Sequence, residues 1–262
     1  MFIKDYEDFK VEIYKMTNIN LTLYKERQMK RRIESLVAKN NFENFNDYVL
    51  ALKKDTVLYN EFINYITINV SEFFRNPEQW QILKDDILPM LLEKNKNIKI
   101  WSAACSTGDE PYTLVMTLRN FLPYSSIKIL ASDIDKEVLA KAQVGIYNER
   151  SLTNCPKEEV KKFFTQEGEF YKIKDEVKNC VQFIQHNLLK DPYPPDCDLI
   201  ICRNVLIYFT EEAKTDIYTK FNRALKNDGV LFVGSTEQII SAHRFNFAPI
   251  KTFFYQKKTE RT

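Results

Sequence analysis

The sequence predicts an α/β fold, a mostly parallel sheet whose strands alternate with helices, preceded by an all-α N-terminal region. Three observations carry this expectation. The first hundred of the 262 residues contain no glycine, and Pro77 and Pro89 are their only prolines, so residues 5–66 read easily as helix. From residue 98 the apolar pattern changes to short runs with β-branched residues, the signature of buried strands. Helix-like stretches separate several of these runs, as a parallel sheet with crossover helices requires. At this length, with 44% hydrophobic residues, the chain can bury the core of one large domain or two modest ones.

In the helical region, residues 24–40 read YKERQMKRRIESLVAKN. Met29, Ile33, Leu36 and Val37 fall on one helical face, and Arg27, Lys30 and Arg31 on the opposite one. Residues 21–39 hold six basic and two acidic side chains. Such a face is either an ordinary solvated surface or a docking surface for an acidic partner. The strand candidates follow as IKIWSAA (98–104), IKILASD (127–133), CVQFIQHNLL (180–189), CDLIICRNVLIYF (197–209) and GVLFVGS (229–235). Helical candidates between them are 111–122, 136–145 and 211–227. The last run, TFFYQKK (252–258), is expected beside GVLFVGS as an antiparallel edge. Between 146 and 180 the alternation lapses, and FYKIKDEV after Gly168 reads as a small inserted hairpin. The expected organisation is a helical domain over 1–66, a connecting segment over 67–79, and an α/β domain over 80–262 that carries the insertion at about 146–180.

Composition excludes several function classes. Five glycines, at 108, 145, 168, 229 and 234, make about 2% of the chain against a usual share of roughly 7%, and no G-x-G-x-x-G fingerprint exists. Gly229 and Gly234 have P-loop spacing, but Ser235-Thr236 stand where Lys-Ser/Thr is needed. Thirty-eight basic against 36 acidic residues form neither a polybasic nor an acidic tail. Five cysteines without a C-x-x-C pair read as reduced cytosolic thiols, and two histidines far apart in sequence suggest no metal site. No stretch reaches 18 apolar residues, so a cytoplasmic protein without membrane insertion is expected.

Ligands of such sheets bind at the carboxyl ends of the strands. In IKIWSAACSTGDEPYTL a strand leads through a turn of small residues into a helix with Pro111 in its first turn. Ser102 through Thr107 allow close approach of a ligand, and Gly108 supplies one permissive backbone position. Asp133, 25 residues beyond Gly108, ends the next strand, where a carboxylate can accept both hydroxyl hydrogens of a ribose. Asn187 and Leu188 close the third strand, where an amide and an apolar contact can hold a purine. Each feature alone is compatible with a plain loop, cap or turn. In this order they favour a nucleoside ligand without a pyrophosphate, and S-adenosylmethionine fits better than NAD.

Four segments, INVSEFFRN (68–76), IWSAACSTGDEPYTL (100–114), ASDIDKEVLAKAQVGIY (131–147) and CRNVLIYF (202–209), closely resemble the chemotaxis receptor methyltransferases, the CheR family. The resemblance runs in order through nearly the whole chain. It implies a class I methyltransferase sheet, Rossmann-like and mostly parallel, with an inserted small β-subdomain and an all-α N-terminal domain. The implied activity is S-adenosylmethionine-dependent O-methylation of protein glutamates, with S-adenosylhomocysteine as product. Carried over by position, it implies cofactor contacts from Asn69, Ser71, Arg75, Glu110, Asp133, Asn187, Leu188, Arg203 and Asn204. Ile68 and Asp109 depart from the family's commoner Thr and Glu. Arg75 would align the substrate carboxylate or hold the cofactor's own, and Tyr208 would offer a hydrogen bond near the transferring methyl or simply be a buried aromatic. The implied partner is the acidic cytoplasmic coiled-coil region of methyl-accepting chemotaxis receptors, with Arg27, Lys30 and Arg31 as docking residues. No feature demands more than a monomer.

Two rival readings remain distinct. DPYPP (191–195) superficially resembles the motif with which nucleic-acid methyltransferases hold a flipped base, but its order is wrong and the net charge of +2 is near neutral. A cofactor-sensing module that has lost transfer is the other; retention of Arg75, Asp133, Arg203, Asn204 and Tyr208 opposes it.

Overall fold

The computed structural model describes residues 3–259, which form two compact units. The helical unit comprises residues 3–69 together with 207–216. Its helices are Tyr6–Thr17, Glu26–Lys39, Phe45–Leu52 and Thr56–Thr67. Three start on side-chain caps: Asp5 accepts from the Glu7 and Asp8 N–H groups, Asn44 from Asp47, and Asp55 from Val57 and Leu58, each satisfying donors that a helix start leaves open. Phe9, Ile13, Ile33, Leu36, Tyr48 and Phe62 are fully buried between them, with Phe9 and Phe45 rings 4.7 Å apart. The distant segment joins through backbone pairing. The Lys25 N–H donates to the Tyr208 carbonyl at 2.8 Å, the Thr210 N–H to that of Leu23 at 2.9 Å, and Phe209 sits edge-on to Tyr24 at 4.9 Å.

The second unit comprises residues 70–206 and 217–259. Its strands are β1 (Ile100–Ala103), β2 (Ile129–Asp133), β3 (Ile146–Asn148), β4 (Phe164–Glu167), β5 (Phe170–Ile173), β6 (Val181–Gln185), β7 (Cys197–Cys202), β8 (Leu225–Val233), β9 (Phe247–Lys251) and β10 (Phe254–Lys257). Seven of them form one sheet in the order β6-β2-β1-β7-β8-β10-β9. The first five in that order run parallel, and β10 is antiparallel to both β8 and β9. The order reverses at β1, the switch point at which ligands of open α/β sheets bind. TFFYQKK does pair antiparallel with β8, but it is not the edge. β9 lies outside it, and Pro249 within β9 occupies the kind of edge position that tolerates a missing N–H.

The insertion is also larger than a hairpin. β3, β5 and β4 make a three-stranded antiparallel sheet, accompanied by the helix Lys157–Phe163. Gly168 turns β4 into β5 at φ +64°. Tyr147, Phe164 and Ile173 face inward with Phe73 in the same core as the main sheet, and the Phe73 ring stands edge-on to Tyr147 at 4.8 Å. Among the described residues no helix is long and apolar enough to cross a membrane.

Candidate cofactor site at the strand ends

The turn after β1 is tightly wound. Ala104, Ser106 and Gly108 all have positive φ, at 60°, 48° and 88°, a region costly for side-chain-bearing residues. Gly108 is required, because a Cβ there would lie 2.9 Å from Ala142 Cβ and 3.2 Å from the Tyr147 hydroxyl. Hydrogen bonds to the end of β2 hold the strained turn. The Cys105 N–H donates to the Ser132 carbonyl at 2.9 Å, and the Ser106 N–H donates to Asp133 Oδ2 at 2.8 Å. The other Asp133 oxygen accepts from the Asp135 N–H at 3.0 Å. Asp133 is only 6% exposed, and burial pushes its carboxyl up to about 6 despite those two donors. The Ser106 hydroxyl is buried beside it without a hydrogen-bond partner among the described residues.

Glu110 lies in the first turn of the next helix, Asp109–Leu118. Its Oε1 accepts from the Ser102 hydroxyl at 2.8 Å, and its Oε2 is 3.8 Å from Arg203 Nη1. Burial pushes this carboxyl up to about 7; Arg203, Ser102 and Arg75 favour ionisation, while the charge of Glu237 opposes it. The adjacent Asp109 is fully buried and pushed by burial to about 6, with the Thr107 hydroxyl donating to it at 2.6 Å. Ser71 also acts on Asp109 as a hydrogen-bonding neighbour.

Arg203 follows β7 and is turned inward. Its Nη2 donates to the Arg75 carbonyl at 2.8 Å, to Asn76 Oδ1 at 3.1 Å and to Gln79 Oε1 at 3.0 Å, and its guanidinium lies 4.8 Å from the Phe232 ring centre. It thereby fastens the backbone of Arg75, whose own Nη1 donates to the Val70 carbonyl at 3.1 Å. Asn204 is held at φ 60°, and the Glu237 carboxylate accepts its N–H. Asn187 and Leu188 lie just past β6, which ends at Gln185, in a turn rather than in the strand. Asn187 Oδ1 accepts from the Leu189 N–H at 2.9 Å, its N–H donates to Asp191 at 2.8 Å, and Leu188 is buried.

DPYPP has a structural task at this position. Asp191 closes the Asn187 turn, the Tyr193 hydroxyl donates to the Leu188 carbonyl at 2.9 Å, and the Tyr193 ring packs 5.0 Å from Trp101. The remaining predicted residues belong to the helical unit. There Asn69 Nδ2 donates to the Thr67 hydroxyl at 2.8 Å, and the Tyr208 carbonyl accepts from Lys25. Arg27 and Arg31 are exposed, whereas Lys30 is 4.0 Å from Glu34 and 5.7 Å from the Tyr6 ring centre. Sequence reasoning passes over Glu237 and Gln79, because each acts across more than 30 residues of chain on a backbone group or on a side chain. The only local hint is an acidic residue three positions after Gly234.

Asp133 is buried and Glu110 mostly so, and the protein's own donors offset the cost of ionising them only in part. A ligand that brings hydroxyl or ammonium donors would complete them, and the unpartnered Ser106 hydroxyl adds a further polar group. S-adenosylmethionine fits this set, its ribose suited to Asp133 and a donor group to Glu110. The sheet order and this site define a class I, S-adenosylmethionine-dependent methyltransferase. Comparison with known proteins narrows the class. The profile of the CheR methyltransferase SAM binding domain matches residues 69–254, and that of the CheR methyltransferase all-alpha domain matches residues 4–67. A chemotaxis protein methyltransferase of Listeria innocua is 42% identical over 97% of each chain. Those of Borreliella burgdorferi and Escherichia coli are 38% and 33% identical, over 87% and 88% of this chain and 85% and 83% of theirs. The chain belongs to the CheR methyltransferase family.

Proposed function

We propose that this methyltransferase works in the cytoplasm on glutamate side chains in the coiled-coil region of methyl-accepting chemotaxis receptors, forming glutamyl methyl esters in sensory adaptation. The observation that carries this reading is the alignment with chemotaxis protein methyltransferases over nearly the whole chain, helical domain included. Bound S-adenosylmethionine supplies an electrophilic methyl on a positive sulfonium. The acceptor carboxylate, with a reference pKa of about 4.3, is already ionised at neutral pH, so no general base has to be provided. The chain's task is binding, orientation and exclusion of water. Asp133, fixed by the Ser106 and Asp135 N–H groups, accepts the ribose hydroxyls. Ser102 and Arg203 hold Glu110 in one orientation for a donor of the cofactor. Ionised Asp133 and Glu110 attract the positive donor more than the neutral thioether left after transfer, which favours product release.

Arg203 holds the Arg75 backbone, leaving the Arg75 side chain to align the acceptor or the cofactor carboxylate. A strong clamp on the acceptor would also stabilise the ground state, so Arg75 is assigned alignment rather than a large rate factor. Arg27, Lys30 and Arg31 are assigned to receptor docking, and Tyr208 to a hydrogen bond in the transfer step. The test is incubation with methyl-labelled S-adenosylmethionine and receptor cytoplasmic fragments. Label on receptor released as methanol by mild base supports the ester; label on nucleic acid, or cofactor binding without transfer, overturns it.

A further inference from the structure

Besides Asp109 and Asp135, the strand ends hold a further buried carboxylate to which the proposed chemistry gives no part. Glu237 is 5% exposed and lies three residues past Gly234, in the loop that follows β8. Its Oε2 accepts from the N–H of Asn204 at 2.5 Å and from that of Gly234 at 3.0 Å, and its Oε1 accepts from the Leu206 N–H at 2.6 Å. Three backbone donors from two loops thus converge on one side chain. Charged hydrogen bonds of this kind are about twice as strong as neutral ones. Gly234 makes room for it: a Cβ there would collide with Glu237 Oε2 and lie 2.8 Å from the Asn204 nitrogen. The turn so held contains Asn204 in its left-handed conformation, directly after Arg203, which fastens Arg75 and faces Glu110.

We propose that Glu237 is a positioning residue for the cofactor site, bolting the loop after β8 to the Arg203–Leu206 turn and setting the charge felt by Glu110. The proposal rests on the cofactor site described above and not on the identity of the methyl acceptor. Its electrostatic part follows from the groups facing Glu110, which are Arg203, Arg75, Glu237, Cys105 and Cys202. Of the charged groups acting on Glu110, Arg203 and Arg75 favour its ionised form and Glu237 opposes it.

The test is S-adenosylhomocysteine binding by calorimetry from pH 5.5 to 8.5, with hydrogen exchange of the unliganded protein. In E237Q one carboxylate oxygen becomes an amide donor that must face a backbone N–H. Affinity at pH 8 should fall about tenfold or more, and the amides of Asn204, Leu206 and Gly234 should exchange faster. The pH at which affinity declines should also move down, because Glu110 has lost a repulsive neighbour. E237D separates the two parts, since the shortened side chain keeps its charge but no longer reaches all three backbone N–H groups: weaker binding is expected, with a pH midpoint nearer that of the wild type than that of E237Q. If E237Q fails to fold, E237D decides alone. Wild-type affinity and midpoint in a folded E237Q, or wild-type affinity in E237D, overturns the role of Glu237. Failure of the wild-type protein to bind would instead overturn the cofactor site.

Discussion

Charge is used in opposite ways at the strand ends of the α/β unit and on the helix Glu26–Lys39. At the strand ends Asp133 and Arg203 are buried and Glu110 is mostly so, and each is oriented by named partners. On the helix Arg27 and Arg31 project into solvent, where water and salt screen them. The contrast shows that equal formal charges carry unequal information. A buried charge has an energy that depends on every neighbour, so it can be specific for one ligand. A solvated cluster acts as a field, which steers association more than it selects geometry.

The largest expected effect tests the buried side. Arg203→Ala removes the donor shared by Arg75, Asn76 and Gln79 and leaves Glu110 without its buried counter-charge. It should cost about 3–5 kcal/mol in urea unfolding; a loss below 1 kcal/mol would place Arg203 with the screened charges. Asp133→Asn comes next. It puts an amide donor where two backbone N–H groups already converge and removes the charge offered to the ribose. S-adenosylhomocysteine affinity should weaken about a hundredfold, and calorimetry on the folded variant measures it directly.

A pH titration then sharpens the comparison, because the strand-end carboxyls Glu110 and Asp133 titrate near neutrality. Glu110 at about 7 and Asp133 at about 6 must ionise to accept donors from the cofactor. Affinity should therefore fall as pH is lowered through this range, by about tenfold between pH 7 and 6. The unliganded protein should respond with the opposite sign. These groups hold protons more tightly folded than unfolded, so their contribution to stability is present below about pH 4 and is lost as pH rises through about 6–7. Unfolding midpoints at pH 5 and 8, compared between wild type and Asp133→Asn, check that sign: the variant should show the smaller difference.

The smallest effect belongs to the helix. Replacing Arg27, Lys30 and Arg31 together by Ala should raise KM for receptor fragments several-fold and flatten its dependence on salt, while leaving S-adenosylhomocysteine affinity unchanged. Lys30 should contribute least of the three, since Glu34 and the Tyr6 ring already engage it. Unchanged receptor kinetics in the folded variant would make this an ordinary solvated face.

The parallel sheet and the place of Asp133 at a strand end were legible in the sequence for a physical reason, whereas Glu110 was reached only through the family resemblance. Strand and helix periods, small residues in a turn and a carboxylate at the end of an apolar run are all local patterns, set within a dozen residues. Four features were settled only by tertiary structure. One is the outer strand β9, whose Pro249 disguises it as a loop. Another is the third strand of the insertion, and a further one is the membership of residues 207–216 in the helical unit. The last is the wiring of Arg203 to Gln79 and of Glu237 to Asn204, Leu206 and Gly234. Each depends on contacts between residues far apart in the chain, or on burial that turns an ordinary glutamate into a bolt between loops. Local sequence carries neither, because a side chain's partners and its loss of water exist only once the chain has folded around it.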